Sequence, residues 1–473
     1  MNLRSLALSS LSALALSACA AGPDYALPPS PTASSGPFLS ASGPAFAATA
    51  IPDDWWRLYD DPVLDGLVSD ALAANTDLRQ AVARIDRARA GLRGARVDRL
   101  PQTALGTGAT YGRLPGSQRP IGAAREDWSF DGGIHVAYEV DLFGRVSRGI
   151  EAARADLAAS EGDADAMRVI VVAETTRAYA DAASGAERLR VAQEIVALLD
   201  QSLGLVRRRH DAGLEDGLAV ARVATLREQR AAEIPALEAD RAAALFRLAT
   251  LTARAPAELP PIAAQRSIAL DIEQPLPVGD GSALLARRPD IRAAERRLAA
   301  NTARIGVATA DLYPRITFGA SAGSTGPDIG DIFTGGPLRW LLGPLLSWSF
   351  PNQEPIRARI DATEADTQAA LAAFDGAVLN ALEETEVALS RYAKALERRR
   401  ALQAANLEAE RAAGILRAQQ REGTVNSLDR LDAERTLAEA AAQLVEQDAV
   451  VSRAQIDVFR ALGGGWAKTA QGG

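Results

Sequence analysis

The chain has very few of the side chains that hold metal ions or act as catalytic nucleophiles. Its 473 residues include one cysteine, two histidines and two methionines. A disulfide framework and a cysteine zinc site are therefore excluded, and two histidines are too few for most metal or triad chemistry. Basic charge is not in excess either, because the formal net charge is -8. The chain thus lacks the positive field that would hold nucleic acid.

Long apolar runs are also missing, so no segment is predicted to cross a membrane as a helix. The apolar run over residues 6–16 is too short, but it follows Arg4 and precedes Ser17, Ala18 and Cys19. This order is typical of a secretory signal. The stretch 16–19, Leu-Ser-Ala-Cys, also resembles a bacterial lipoprotein signal, which implies a signal peptide over 1–18 and a covalent lipid on Cys19. An ordinary signal with an incidental cysteine is the alternative.

The sequence contains two copies of one plan. The segment around Asp77 aligns with the segment around Asp290, and Gly213 aligns with Gly423. Each copy is predicted to run from a helix through two short strands, separated by a long loop, to two long helices. The predicted divisions are a lipidated N-terminal tether over 19–52, a first repeat over 53–262, a linker over 263–281, a second repeat over 282–465 and a C-terminal tail over 466–473.

Four strands are predicted from alternation, at about 103–111, 134–143, 316–323 and 344–350. In the second of them Ile134, Val136 and Tyr138 share one face, and His135 and Glu139 share the other. An apolar and a polar face suit a half-buried soluble sheet or a barrel with lipid outside and water inside, and the secretion signal favours the barrel. Because four strands cannot close a barrel, the membrane interpretation requires several copies. Three copies would supply twelve strands.

Long helices are predicted over about 145–250 and 355–462. The sequence has no proline from residue 145 to residue 234 and none after Pro355. Small or apolar residues recur at intervals of three and four between Ile150 and Val206, which is typical of a coiled-coil seam. A helix of ~60 residues would be ~90 Å long at a rise of 1.5 Å per residue. Pro235 predicts a kink or break.

Residues 287–298, which continue towards Tyr313 and Pro314, resemble the signature of the TolC-like outer-membrane factors. The stretch 19–25 and the pair Trp55–Trp56 resemble the lipoprotein branch that serves resistance-nodulation-division (RND) efflux pumps. The resemblance covers about residues 16–465. It implies a homotrimer, mainly α, with a twelve-strand barrel in the outer membrane and a long barrel of twelve helices in the periplasm. A mixed belt would surround the helices, and the partners would be a periplasmic adaptor and an inner-membrane pump.

The resemblance also implies a periplasmic gate at Leu428, Asp429, Asp432 and Arg435, which match the family's inner-helix gate motif. Leu428, Asp432 and Arg435 have the spacing of one helical face. Three copies of each aspartate in a narrow mouth would repel anions and attract cations. Arg435 would then pair with an aspartate in the closed state. The alternative is an ordinary surface face with an Asp432–Arg435 pair inside one helix.

Gly213 and Gly423 each follow a helical run, which suits a left-handed helix cap. The resemblance places such turns at the helix tips that contact the adaptor, and a plain turn without a partner is the alternative.

The expected function is a passive exit duct that conducts small molecules, such as drugs or toxic compounds, from the adaptor and pump to the exterior. No catalytic residue, metal or cofactor is predicted apart from the lipid on Cys19. Ser321 lies in a Gly-x-Ser-x-Gly pattern, but within an alternating strand and not at a strand-turn-helix junction. The alternatives are the exit duct of a type I protein secretion system and a periplasmic coiled-coil scaffold lipoprotein without a pore.

Overall fold

The computed structural model describes residues 20–29, 36–113, 115, 117, 121, 124–334, 338–422, 424–425 and 427–464, without the side chains of Ser427 and Leu428. The predicted signal peptide, Cys19, Gly423 and the predicted tail over 466–473 lie outside this description. The chain divides into two compact units. Counting the described residues alone, the sheet unit comprises those up to Pro28 and those within Arg84–Glu161 and Arg292–Asp375, and the belt unit comprises those within Pro29–Ala83, Gly162–Ile291 and Gly376–Gly473.

Helices account for 67% of the structure, which confirms the prediction of a mainly helical chain. The helices are α1 (Pro62–Ala74), α2 (Thr76–Val97), α3 (Arg145–Asp211), α4 (Gly217–Ala231), α5 (Ile234–Leu251), α6 (Gly281–Arg287), α7 (Pro289–Ala310), α8 (Glu354–Arg421) and α9 (Ser427–Ala461). The strands are β1 (Phe46–Ala47), β2 (Gln102–Arg113), β3 (Glu126–Val140), β4 (Leu276–Pro277), β5 (Arg315–Gly326) and β6 (Leu338–Ser347). Within the described residues, no helix is both long enough and apolar enough to cross a membrane.

The proline pattern sets the lengths of the helices. The helices α3 and α8 run for 67 and 68 residues, because neither contains a proline beyond its first turn. The chain breaks between α4 and α5 near Pro235, as predicted. Pro235 lies at the start of α5, where its missing N–H removes no helical hydrogen bond.

The sheet unit contains an antiparallel sheet in the order β2-β3-β5-β6. One row of opposed residues is Leu105, Ile134, Ala322 and Trp340, and the next row is Ala104, His135, Ser321 and Leu341. Adjacent rows point to opposite faces because side chains alternate along a strand. The face of the first row is apolar and exposed, with Leu105 81% and Trp340 74% accessible. The other face is rich in glycine and polar side chains.

Two strands, β3 and β6, differ most from the predicted bounds. The strand β3 begins at Glu126, well before residue 134, because its backbone pairs with β2 as far as Arg113 although the Gly132–Gly133 pair interrupts the alternation of side chains. The strand β6 covers Leu338–Ser347 and not 344–350. Pairs of adjacent leucines make both faces of β6 apolar. The sequence therefore shows no alternation of apolar and polar residues that would predict this strand. Trp348 lies beyond the strand and its indole N–H donates to the carbonyl oxygen of Leu312 at 3.0 Å.

The core of the belt unit joins irregular segments to the long helices. The ring of Trp55 is fully buried and stacks on Phe459 of α9, with ring centroids 4.6 Å apart. Asp61 caps α1 by accepting hydrogen bonds from the backbone N–H groups of Val63 and Leu64. The short strands β1 and β4 pair in parallel nearby, and Phe46 of β1 contacts Tyr392 of α8 edge to face. These segments form a belt on one side of α8 and α9.

An N-terminal strap, residues 20–25, is docked within the sheet unit. The backbone N–H of Ala21 donates to the carbonyl oxygen of Phe143 at 2.9 Å, and Gly22, with a φ of 83°, lies directly against Gly306 of α7. A Cβ atom on Gly306 would approach the Ala21 carbonyl oxygen to 2.8 Å. Glycine is therefore needed where the two backbones meet. The carboxylate of Asp24 then pairs with the buried Arg148 at 2.5 Å.

Candidate functional site

The predicted gate residues lie in the first turns of α9, within the belt unit. Asp429, Asp432 and Arg435 are all exposed. The backbone of Leu428 is helical, and its side chain lies outside the described part. Leu431, on another face of α9, packs between apolar clusters that include Leu203 of α3 and Val223 of α4. Burial of Leu431 leaves both aspartates on the accessible side of α9, where an acidic residue also interacts favourably with the positive end of the helix dipole.

In the single chain, Arg435 pairs with Glu439 and not with Asp432. Its Nε lies 3.1 Å from the Glu439 carboxylate, one turn farther along α9. Glu439 also binds Arg230, near the end of α4, at 3.3 Å. The alternative of an Asp432–Arg435 pair within the helix is thus wrong for this chain, because Glu439 lies at the favourable i+4 position. Among the described residues, no cation lies within ion-pair distance of Asp432.

A buried polar cluster that the sequence analysis missed ties α9 to its neighbours. The Glu434 side chain is 8% exposed, and its carboxylate accepts hydrogen bonds from Arg430 at 2.8 Å and from the Ser202 hydroxyl of α3 at 2.6 Å. The Arg430 guanidinium also donates to the Gln420 side-chain oxygen of α8 at 2.6 Å. Arg417 approaches Glu434 to 3.6 Å. A partly buried, charge-assisted network of this kind fixes the start of α9 on α3 and α8.

The i, i+4 spacing of Arg430 and Glu434 was visible inside the gate motif and could have predicted their pair. Ser202 could not have been found in this way, because its hydroxyl reaches Glu434 only through the packing of α3 on α9.

Gly213 has the predicted left-handed conformation, with a φ of 72°. Its N–H donates to the His210 carbonyl oxygen, and the Leu214 N–H donates to the Arg209 carbonyl oxygen, both at 2.8 Å. These two hydrogen bonds close the end of α3. Asp216 then caps α4 by accepting from the Ala219 N–H at 2.8 Å. The turn of residues 212–216 is therefore a defined helix tip, whereas its counterpart Gly423 lies outside the described residues.

A second polar cluster, partly buried, lies in the belt. Arg399 of α8 binds the Asp271 carboxylate at 2.7 Å and approaches the Asp448 carboxylate of α9 to 4.0 Å. The Asp448 side chain is 27% exposed. Burial raises the pKa of Asp448 to about 6, and the negative charges of Glu187 and Asp271 act in the same direction. The positive charge of Arg399 lowers the pKa but does not cancel these effects. Asp448 is therefore held in a site that disfavours its charged form.

Replacement of Asp448 with asparagine is expected to stabilise the protein at pH 7.5 by ~1–2 kcal/mol per chain. In the wild type the pKa in the folded state lies above the unfolded value, so the folded state binds more protons and becomes more stable as pH falls from about 7 towards 4. The gain from asparagine should thus shrink over the same range. Thermal midpoints of both proteins at pH 7.5 and pH 4.5 measure it, and an equal shift at the two values would contradict the account.

A family model described as outer membrane efflux protein matches residues 67–254 and 281–464. The chain is 32% identical over 457 residues to outer membrane protein OprJ of Pseudomonas aeruginosa, covering 96% of this chain and 95% of that protein. It is 29% identical over 452 residues to the probable outer membrane lipoprotein SilC of Salmonella typhimurium, covering 94% and 95%. The solved outer-membrane channel OprN superposes with a TM-score of 0.88 at 35% identity, covering 95% of this chain and 100% of that one.

Proposed function

Because this chain belongs to the outer membrane efflux protein family, it is the outer-membrane exit duct of a tripartite efflux pump, and we propose that three copies assemble to form that duct. The observation that carries the assembly is the open sheet of the sheet unit, whose outer strands are β2 and β6. Alone, it would leave a row of backbone N–H and C=O groups unpaired along each edge. Since neighbouring strands alternate in direction, β6 of one copy can pair antiparallel with β2 of the next.

The faces of the sheet support a barrel with lipid outside. The apolar face, which includes Leu105, Trp340 and Leu342, is largely exposed in the single chain. Such a face is costly in water and favourable against acyl chains. The opposite face carries His135 and Asp131 among glycines, which suits a hydrated lumen. Closure of twelve strands from three copies would satisfy every edge, and a covalent lipid on Cys19 would add an anchor in the same membrane.

The gate proposal rests on the first turns of α9. Asp429 and Asp432 are exposed there, and three copies would bring six carboxylates to one narrow mouth. While the mouth is closed and narrow, such a ring attracts cations and repels anions; it does not decide what passes once the mouth has opened. The cluster of Arg430 and Glu434 would hold each α9 in the closed position. The turn at Gly213, with its counterpart at Gly423, would form the tips that an adaptor contacts, and the inner-membrane partner would be an RND-type pump that supplies the energy.

Planar-bilayer conductance of the purified protein tests the duct and its gate together. The wild type is expected to give a small conductance, and the double variant Asp429→Ala with Asp432→Ala a larger and less cation-selective one, because the acidic ring is gone. A matched control removes two exposed aspartates elsewhere, Asp361→Ala with Asp366→Ala, and should behave as the wild type. An unchanged conductance in the gate variant would remove the electrostatic gate. No current from any well-folded protein would favour a scaffold without a pore.

A further inference from the structure

A groove of about 510 Å³ lies between α8 and α9 in the belt unit. Its floor is apolar and includes Val387 and Ala388 of α8 and Val450 and Ala454 of α9. Its rim is basic, with five cationic side chains: Arg391, Lys394, Arg398, Arg453 and Arg460. An apolar floor with a few convergent polar groups is the usual form of a small-molecule site.

The groove lies on the side of the two helices that faces away from the belt. On α8 the belt contacts Leu389, Tyr392 and Leu396. Arg391, Lys394 and Arg398 follow the same three- and four-residue spacing, displaced by about half a helical turn, so they point the opposite way. The belt and the groove are thus two sides of one helical layer. In the proposed trimer the belt surrounds the helices, so the groove, on the opposite side of α8 and α9, faces the lumen. This inference therefore rests on the proposed function.

The positive charge of the groove is only partly neutralised. Of its two acidic residues, Glu384 binds Arg288, outside the groove, at 2.9 Å. Asp457 pairs with Arg177, also outside the groove, and lies 3.6 Å from the rim residue Arg460. Lys394 pairs with Glu397, and Arg453 pairs with Asp181. In the described part of the chain, by contrast, no carboxylate lies within ion-pair distance of Arg391 or Arg398.

Arg391 and Arg398 lie two turns apart on α8, and both are exposed. A guanidinium presents a planar fork of N–H donors that matches a carboxylate or sulfonate. The apolar floor beside them can take the body of the same molecule.

We propose that this groove binds amphipathic organic anions in transit, with the anionic head on Arg391 and Arg398 and the apolar body over Val387 and Val450. The groove is open along one side, so binding is weak and release is fast, as conduction requires. The class of cargo that this site favours is therefore an aromatic or alicyclic carboxylate or sulfonate. A neutral molecule with the same apolar body gains only the floor contacts.

Equilibrium dialysis of naphthalene-2-sulfonate against the purified trimer, in an uncharged detergent, tests the proposal. The double variant Arg391→Gln with Arg398→Gln is expected to bind about tenfold more weakly, because two charge-assisted contacts are lost. The matched control, Arg400→Gln with Arg411→Gln, removes the same charge from exposed positions on the other side of α8 and should bind within about twofold of wild type. Naphthalene-2-methanol, the neutral probe, should bind all three proteins alike.

Equal affinities for the sulfonate in both double variants would overturn the proposal. So would a groove variant that no longer forms trimers by native mass spectrometry, since the arginines would then belong to a contact between copies. The variant Arg391→Lys with Arg398→Lys keeps the charge and should restore most of the binding. The failure of the two proposals can be told apart. If the wild type binds the sulfonate but carries no current in the planar bilayer, the proposal of a pore fails and the proposal of the groove stands.

Discussion

Replacement of Glu434 with glutamine is expected to raise the single-channel conductance several-fold and to destabilise the packing of α9 by about 2–4 kcal/mol per chain. The Glu434 carboxylate is the acceptor that Arg430 and Ser202 share, and its side chain is 8% exposed. Glutamine keeps the shape but leaves Arg430 without its counter-charge in a partly buried site. The loss of one partner from such a pair costs much more than the pair itself contributes. Bilayer conductance and the thermal midpoint of the trimer are the two measurements.

The control for this change is Glu439→Gln. Glu439 lies farther along the same helix and binds two arginines, but its side chain is 42% exposed. Water screens an ion pair at that exposure, so its loss should cost less than about 1 kcal/mol and leave the conductance unchanged. If the two variants behaved alike, the buried cluster would have no special part in holding the mouth closed.

Replacement of Trp55 with alanine is expected to cost about 3–5 kcal/mol per chain, the largest loss of stability predicted here. The side chain is fully buried, stacks on Phe459 and meets Tyr59 edge to face. Its removal would leave a cavity at the centre of the belt core, which the surrounding helices cannot fill. The thermal midpoint of trimer dissociation, measured in detergent, reports the loss.

Two variants separate volume from chemistry at this position. Trp55→Phe keeps most of the ring and removes an indole N–H that has no acceptor in the described structure, so it should cost less than half of the alanine change. Trp56→Ala truncates the neighbouring, only partly buried tryptophan and should cost about 1–2 kcal/mol. If Trp55→Ala and Trp56→Ala cost a similar free energy of unfolding, the buried stack of Trp55 on Phe459 would make no special contribution to stability.

The sequence predicted this fold wherever a local period was strong. The family resemblance read from residues 287–298 is confirmed, and the alternation around Ile134 lies in a strand, β3. Prediction failed where the period was masked. In β6 the neighbouring leucines, such as Leu341 and Leu342, hide the two faces, and only pairing with β5 reveals the bounds of the strand.

The same limit applies to the candidate site. The exposure of Asp429 and Asp432 fits the motif, because an amphipathic helix turns its charges away from the apolar side that Leu431 occupies. The partners of Glu434 could not be predicted, since Ser202 belongs to α3 and meets Glu434 only after α3 and α9 have packed. Long-range polar contacts of this kind leave no periodic trace in the sequence.

The docking of the N-terminal strap determines how the sheet unit carries mechanical load. A pull on the chain ahead of Ala20 passes through the Ala21–Phe143 hydrogen bond and the Gly22–Gly306 crossing. That force therefore enters α7 and the junction between β3 and α3, and it bypasses the outer strands β2 and β6. With the lipid anchor proposed on Cys19, tension on the N-terminus would be resisted by the packed helix α7 and the buried Arg148 before any strand pair at the sheet edges was strained.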